Sequence, residues 1–278
     1  MWPILILLLS FAFCVGIVSA MVGIGGGVFI VPLLALFYDL TSQQAVGTSL
    51  ATIIFTSLAS TVAYSRQRRI DYKIGLILMI TTVPGSSLGA YLTTMVSNQM
   101  LGTIFGFFLT ALSLQMILKP KPTELESSQS VATKNKLTVW HRRIVDSRGT
   151  IFEYKANISL GFPLGFLGGL ASGFLGIGGG AVLVPIMHYL VNMPMHVCVA
   201  TSMFIMIFTS VSGVATHLSL GNVNLDYATP LILGVVFGAQ LGAYLARRTS
   251  GENLKKIFGT VLLIIGVRMT LKFLNLLP

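Results

Sequence analysis

The chain has 278 residues, 54% of them hydrophobic and only 9% charged, with a mean hydropathy of +0.85. A soluble domain carries about 25% charged residues, so the composition excludes a soluble enzyme or binding module and places most of the chain in a bilayer. The 18 Lys and Arg against 8 Asp and Glu leave a formal charge of +10, which in such a chain reports membrane orientation and not nucleic-acid binding.

Apolar runs of about 20 residues have the length that crosses a bilayer as helix. The first is Pro3–Val22; Met1–Ser10 holds no Lys or Arg, so the segment reads as a helix and not as a cleaved leader. Gly23-Ile24-Gly25-Gly26-Gly27 follows, then a short apolar piece, Val28–Tyr38, containing Pro32. Eleven residues of helix reach only about half the hydrocarbon core, which predicts a half-helix, a re-entrant piece or a short span. Full-length helices are then predicted over Ala45–Tyr64, Ile74–Thr93 and Gln99–Leu118.

Lys119-Pro120-Lys121-Pro122 stops the fourth long helix, and the polar residues 123–138 are expected to be flexible. Arg143–Tyr154 predicts a small β-hairpin, with Asp146-Ser147-Arg148-Gly149 as its turn. Four more long helices follow: Asn157–Leu175, Val197–His217, Tyr227–Ala246 and Leu254–Phe273. Between the first two lie Gly176-Ile177-Gly178-Gly179-Gly180 and a second short piece, Ala181–Val191, containing Pro185. Cys14 and Cys198 sit in separate apolar segments without metal or redox spacing, and read as buried small hydrophobes.

The chain therefore repeats itself at an offset of 153 residues. Ser19 maps onto Ser172, Thr48-Ser49 onto Thr201-Ser202, Phe55-Thr56-Ser57 onto Phe208-Thr209-Ser210, and Gly89-Ala90-Tyr91-Leu92 onto Gly242-Ala243-Tyr244-Leu245. Charge sets how the halves relate. Arg66, Arg68, Arg69 and Lys73 fill one loop, whose repeat counterpart 218–226 has no Lys or Arg; 94–98 has none, whereas 247–256 carries Arg247, Arg248, Lys255 and Lys256. Basic loops stay cytoplasmic, so equivalent loops fall on opposite sides. The expected fold is an all-α polytopic membrane protein of two inverted repeats. Each repeat has four long helices plus one short piece after the glycines, with both chain ends outside the cytoplasm. The repeats span 1–118 and 157–278, and 119–156 is a cytoplasmic linker. Eight crossings, with each glycine motif breaking one helix, is the rival count.

Three consecutive glycines forfeit about 1 kcal/mol each against alanine in a helix, and irregular backbone within a bilayer survives only when buried or lining a cavity. The short helices that begin at Val28 and Ala181 point free N–H groups back at Gly25, Gly26, Gly27 and at Gly178, Gly179, Gly180. Such helix ends bind anions without basic side chains; close helix packing is the alternative use of the same glycines. The hydroxyls of Thr48, Ser49, Thr201 and Ser202 are further candidates to hold an anion or to cap backbone groups. His188, Gln240 and Gln115 are candidates for carrying a proton or lining a path. No Walker motif, hydrolytic triad or metal-ligand spacing is present, so no cofactor and no enzymatic activity are expected. The expected partners are a small anionic substrate and the lipid bilayer, with no nucleic acid; oligomeric state is not encoded in these features.

The doubled Gly-Ile-Gly-Gly-Gly with Val-Pro following, the Thr-Ser pairs, and the linker stretch Arg143–Tyr154 resemble the TauE/SafE sulfite exporter family over nearly the full chain. That resemblance implies a secondary transporter exporting sulfite or an organosulfonate across a bacterial plasma membrane. An anion channel, or a transporter of another small anion, is the alternative.

Overall fold

The computed structural model describes residues 2–118, 139–246 and 263–274. Helices α1 (Trp2–Val22), α2 (Gly27–Phe37), α3 (Ser42–Arg66), α4 (Tyr72–Leu92) and α5 (Asn98–Leu118) precede two strands, β1 (Val139–Val145) and β2 (Ile151–Asn157). Then come α6 (Ile158–Leu175), α7 (Gly180–Pro185), α8 (Met195–Ser219), α9 (Leu225–Leu245) and α10 over 263–273. The predicted elements appear with ends displaced by no more than a turn. The expected helix stop and tether at 119–138, the basic loop holding Arg247 to Lys256, and the start of the last predicted helix lie outside the described residues.

Helices α3, α4, α6 and α9 start on side-chain caps, which take up N–H groups that have no partner within the helix. Thr41 and Gln44 form a reciprocal capping box on α3. Asn157, Asp71 and Asn224 cap α6, α4 and α9 through their side-chain oxygens. Pro185 ends α7, and the backbone widens into a π-turn over Ile186–Leu190. The post-glycine piece of the second half thus differs from α2, which runs as α-helix through Pro32.

Five described helices, α1, α3, α4, α8 and α9, are long and apolar enough to cross a membrane. Their apolar side chains do not all turn inward: Ile80, Leu7 and Phe237 are 66%, 64% and 68% exposed. Apolar faces of this extent need a bilayer to cover them. Cys14 lies on such an exposed face of α1, contrary to the expectation that it is buried, whereas Cys198 is buried. The innermost pair is α3 and α8, each 72% buried over its apolar window against 33% for α1.

Shifting α3 (42–66) and α4 (72–92) by 153 residues gives the bounds of α8 (195–219) and α9 (225–245). Contacts repeat with the same offset. The Asp71 N–H, beyond the end of α3, donates to Thr201 Oγ1 near the start of α8 at 3.0 Å. The Asn224 N–H, beyond the end of α8, donates to Thr48 Oγ1 near the start of α3 at 3.0 Å. The two helices therefore run side by side in opposite directions. Around them, α1 packs mainly on α9 and α6 mainly on α4. These packings are close because glycines at four-residue spacing, Gly234-Gly238-Gly242, meet the α1 backbone at Leu9, Phe13 and Ile17.

The strands form an antiparallel hairpin, pairing Val139 with Asn157 through Val145 with Ile151. It is longer than predicted, and its turn is the predicted one. Asp146 Oδ1 accepts from the Arg148 and Thr150 N–H groups. The hairpin covers the α3–α4 loop. Arg142 donates from Nε and Nη2 to the two Asp71 carboxylate oxygens, both at 2.8 Å, and Tyr154 Oη donates to Oδ2 at 2.6 Å. At the other end Arg69 pairs with buried Asp146 at 2.9 Å, and the Ser147 N–H donates to the Gln67 carbonyl. Asp71 is thus not at an open interface but enclosed under the hairpin.

Burial by itself pushes the Asp71 carboxyl up, but the hydrogen bonds from Arg142, Tyr154 and the Ile74 N–H, with the Arg142 charge, bring it below the usual carboxylate range. A depressed folded-state value contributes stability that is complete above the unfolded value of about 3.9 and is lost as pH falls through the folded one. Hairpin protection in hydrogen exchange should therefore hold at neutral pH and fall as the medium is acidified below about pH 4. Arg142→Ala leaves the Asp71 carboxylate buried without its cation and should destabilise the hairpin by about 3–5 kcal/mol, read as faster exchange and earlier cleavage at Ser147–Gly149. Unchanged protection would remove this contact from the account of docking.

Candidate functional site

The two glycine motifs meet at the centre of the bundle. Gly26 and Gly179 are the residues before α2 and α7, with φ of 98° and 83°. That left-handed backbone lets the chain leave one helix and start another within a few residues, at a position where a side chain would be strained. The next residue in each motif makes the contact. A Cβ on Gly27 would collide with the Gly176 carbonyl oxygen, and a Cβ on Gly180 with the Gly23 carbonyl oxygen. Each break is seated on the other, in a reciprocal pair separated by the repeat offset.

The Ser residues of the Thr-Ser pairs join the same contact. Ser49 Oγ donates to the Gly176 carbonyl at 2.8 Å, and Ser202 Oγ shares its proton between the Val199 carbonyl of its own helix at 2.9 Å and the Gly23 carbonyl at 3.1 Å. Thr48 and Thr201 stand a step further out, where each hydroxyl accepts an N–H from the opposite half's loop. All four side chains are fully buried. Ile53 and Met206, again repeat equivalents, close the middle: both approach Gly25 and Gly178. Further out, Tyr64 Oη donates to the Ala20 carbonyl at 2.6 Å, and the equivalent His217 Nε2 lies 3.1 Å from the Gly173 carbonyl.

The first turn of α2 supplies donors. The Phe29 and Ile30 N–H groups turn back onto the Gly26 carbonyl, while those of Gly27 and Val28 meet no acceptor among the described residues. Val28 is completely buried and Ala181, its equivalent, nearly so. The backbone therefore concentrates positive potential at a buried helix start. Among the described residues, no three His, Cys, Asp or Glu side chains gather where they could share a metal ion.

The other candidates lie elsewhere. His188 sits in the π-turn, with Nδ1 2.9 Å from the Met193 carbonyl, toward the hairpin end of the second half. Gln240 donates to the Ala59 carbonyl at 2.8 Å and so bridges α9 to α3. The side chain of Gln115 is outside the described residues. Residues singled out only as repeat markers proved closer to the breaks. Ser19 Oγ stands 3.0 Å from where a Gly26 Cβ would be, whereas at Gly179 it is the Cβ of Ser172, not its Oγ, that lies 3.3 Å from the corresponding position. Their mapping onto each other was the available signal. The Asp71–Arg142–Tyr154 cluster carried no such signal, because its members are far apart in the chain.

The family model for sulfite exporter TauE/SafE matches residues 8–269. The probable membrane transporter protein YunE of Bacillus subtilis is 36% identical over 271 residues, covering 95% of this chain and 96% of that one. A probable membrane transporter protein of Methanocaldococcus jannaschii is 25% identical, with 95% of each chain covered. YdhB of Bacillus subtilis, also a probable membrane transporter protein, is 28% identical over 85% of this chain and 88% of its own. No solved structure matches the chain.

The reciprocal contact has measurable consequences. Gly27→Ala or Gly180→Ala forces backbone apart at the centre and should cost about 1–3 kcal/mol or more, seen as a lower melting temperature in detergent. Thr48→Val leaves the Asn224 N–H without an acceptor and should cost about 1–3 kcal/mol. Gly149→Ala, with nothing within 4 Å of the added methyl, tests φ strain alone. Melting of Gly27→Ala at the wild-type temperature would show that the breaks are not held in contact.

Proposed function

The chain belongs to the TauE/SafE sulfite exporter family of membrane transporters, and we propose that it exports a small anion, sulfite or an organosulfonate, by alternating access. The observation that carries this reading is the meeting of two glycine breaks at the centre of the bundle, with the start of α2 buried there and the N–H groups of Gly27 and Val28 without an acceptor among the described residues. Such a start recognises the negative charge and small size of an oxyanion and needs no lysine or arginine.

In this reading the repeats, 1–118 and 157–278, lie inverted across a bacterial plasma membrane, joined on the cytoplasmic side by 119–156. The opposite directions of α3 and α8 support the inversion. So does the placement of charge. The hairpin rests on the loop that carries Arg66, Arg68 and Arg69, and the equivalent loop after α8 has no basic residue.

The substrate binds where the breaks meet, and the hydroxyls of Ser49 and Ser202, now given to opposite carbonyls, become available as the breaks part. The moving bodies draw on both repeats, a reading supported by α1 packing on α9 and α6 on α4. Ile53 and Met206 close the centre between the motifs, which favours a gated carrier over a standing pore. Export of an anion is favoured by an inside-negative potential, by about 2.3 kcal/mol per charge per 100 mV.

Purified protein in liposomes should show saturable sulfite or sulfonate flux that grows with an imposed potential, against sulfate, thiosulfate and chloride as comparisons. Flux of chloride alone would move the substrate to another class. For topology, Ser147→Cys and Ser219→Cys, both exposed and made in a Cys14→Ala background, should label from opposite sides of the membrane, Ser219→Cys from outside. Labelling of both from one side would end the inverted arrangement.

A further inference from the structure

Two buried hydroxyls beside the glycine breaks have no protein partner. Ser19 is 1% exposed and Ser172 fully buried, and neither Oγ has a hydrogen-bond partner among the described residues, a state shared by the hydroxyls of Ser60, Thr61, Thr82 and Ser210. A buried unpaired hydroxyl carries its full desolvation penalty. The usual relief for serine in a helix is a bond back to the carbonyl one turn earlier, and neither residue makes it. Thr52, Thr56, Thr110 and Thr270 all do so in their own helices. The same orphan is built twice, at repeat-equivalent positions.

Ser19 points at the start of α2. Its Oγ lies 3.0 Å from the Cβ position of Gly26, the residue before that helix. The adjacent N–H groups, Gly27 and Val28, are the ones without acceptors. An unpaired hydroxyl and two unpaired amides on one helix start are matched by a ligand that only accepts hydrogen bonds and carries negative charge. The hydroxyls of Ser49 and Ser202, by contrast, are already donated across the interface.

Resting on the export reading above, we propose that Ser19 donates its hydroxyl to the oxyanion at the start of α2. Ser49 and Ser202 then serve chiefly as the lock between the breaks. Specificity follows from the donors: a tetrahedral or pyramidal oxyanion takes several directed bonds at once, and chloride takes none in a fixed direction.

The test uses the full chain in liposomes with sulfite as probe, comparing wild type and Ser19→Ala. Flux kinetics and melting in detergent, with and without sulfite, are both read. The expected result is a KM for sulfite raised about ten-fold or more by Ser19→Ala, as for loss of a hydrogen bond to a charged group. The melting temperature without sulfite should be unchanged or higher, and the rise on adding sulfite should shrink. Chloride flux, if any, should not move. Unchanged KM in Ser19→Ala, with wild-type flux intact, overturns the assignment of the serine alone. A lowered melting temperature without any KM change marks Ser19 as a packing residue and overturns it too. Wild-type protein that carries no sulfur oxyanion overturns the export reading, and the serine assignment falls with it.

Discussion

Everything central in this molecule depends on two backbones touching where a side chain would not fit. Gly27 lies against the Gly176 carbonyl, and Gly180 against the Gly23 carbonyl. Because the contact is reciprocal, it fixes the relation between the halves about one point. From there the Ser49 and Ser202 bonds, the Thr48 and Thr201 bonds, and the Tyr64 and His217 bonds follow outward as pairs. A bilayer gives no hydrophobic drive for helices to associate, so close packing and directed polar bonds set the arrangement. Each helix break also leaves backbone groups that must be satisfied internally. The chain meets the first demand with residues small enough to touch and part of the second with serine and threonine from the other half, while the N–H groups of Gly27 and Val28 keep no acceptor among the described residues.

The halves are not equal, and the inequality lies at one end. Asp71 and Asn224 are repeat equivalents, each capping a helix and each donating its N–H to a threonine of the other half. Only Asp71 carries a charge, and only there does the hairpin arrive with Arg142 and Tyr154 to meet it. A neutral asparagine needs no such partner. The buried pair of Asp71 and Arg142 is weak evidence for stability in itself, because desolvation offsets much of the attraction. Its effect is to specify one seat for the hairpin over one face of the bundle. That face holds the end of α3, the start of α8 and the Arg69–Asp146 pair.

Much of the fold was legible in the chain because lipid imposes a severe rule. A spanning segment must be apolar and about 20 residues long, so composition alone located α1, α3, α4, α8 and α9. The hairpin turn was legible because Asp146 and Gly149 have few other uses side by side. The site was legible in part. Glycine runs inside apolar segments are costly, and that cost marked Gly25 to Gly27 and Gly178 to Gly180. Ser49 and Ser202 lie beside these runs, each against a carbonyl of the opposite half. The roles of Ser19, Gln240 and His188 were not readable, because a side chain's partner depends on which helices become neighbours.

The amino-acid sequence by itself determined the solvent, the repeat, the lengths of the helices and the places where they break. These follow from local chemistry: hydropathy over a window, propensity at a glycine or proline, and charge in a loop. Tertiary structure alone decided that α1 lies on α9 and α6 on α4, so that the repeats interlock instead of folding as separate bodies. It also decided which hydroxyls are spent on carbonyls and which are left unpaired. Those outcomes turn on contacts between residues more than 100 positions apart, such as Ser49 with Gly176. No local pattern encodes such a pairing, because it exists only once the two halves close on each other.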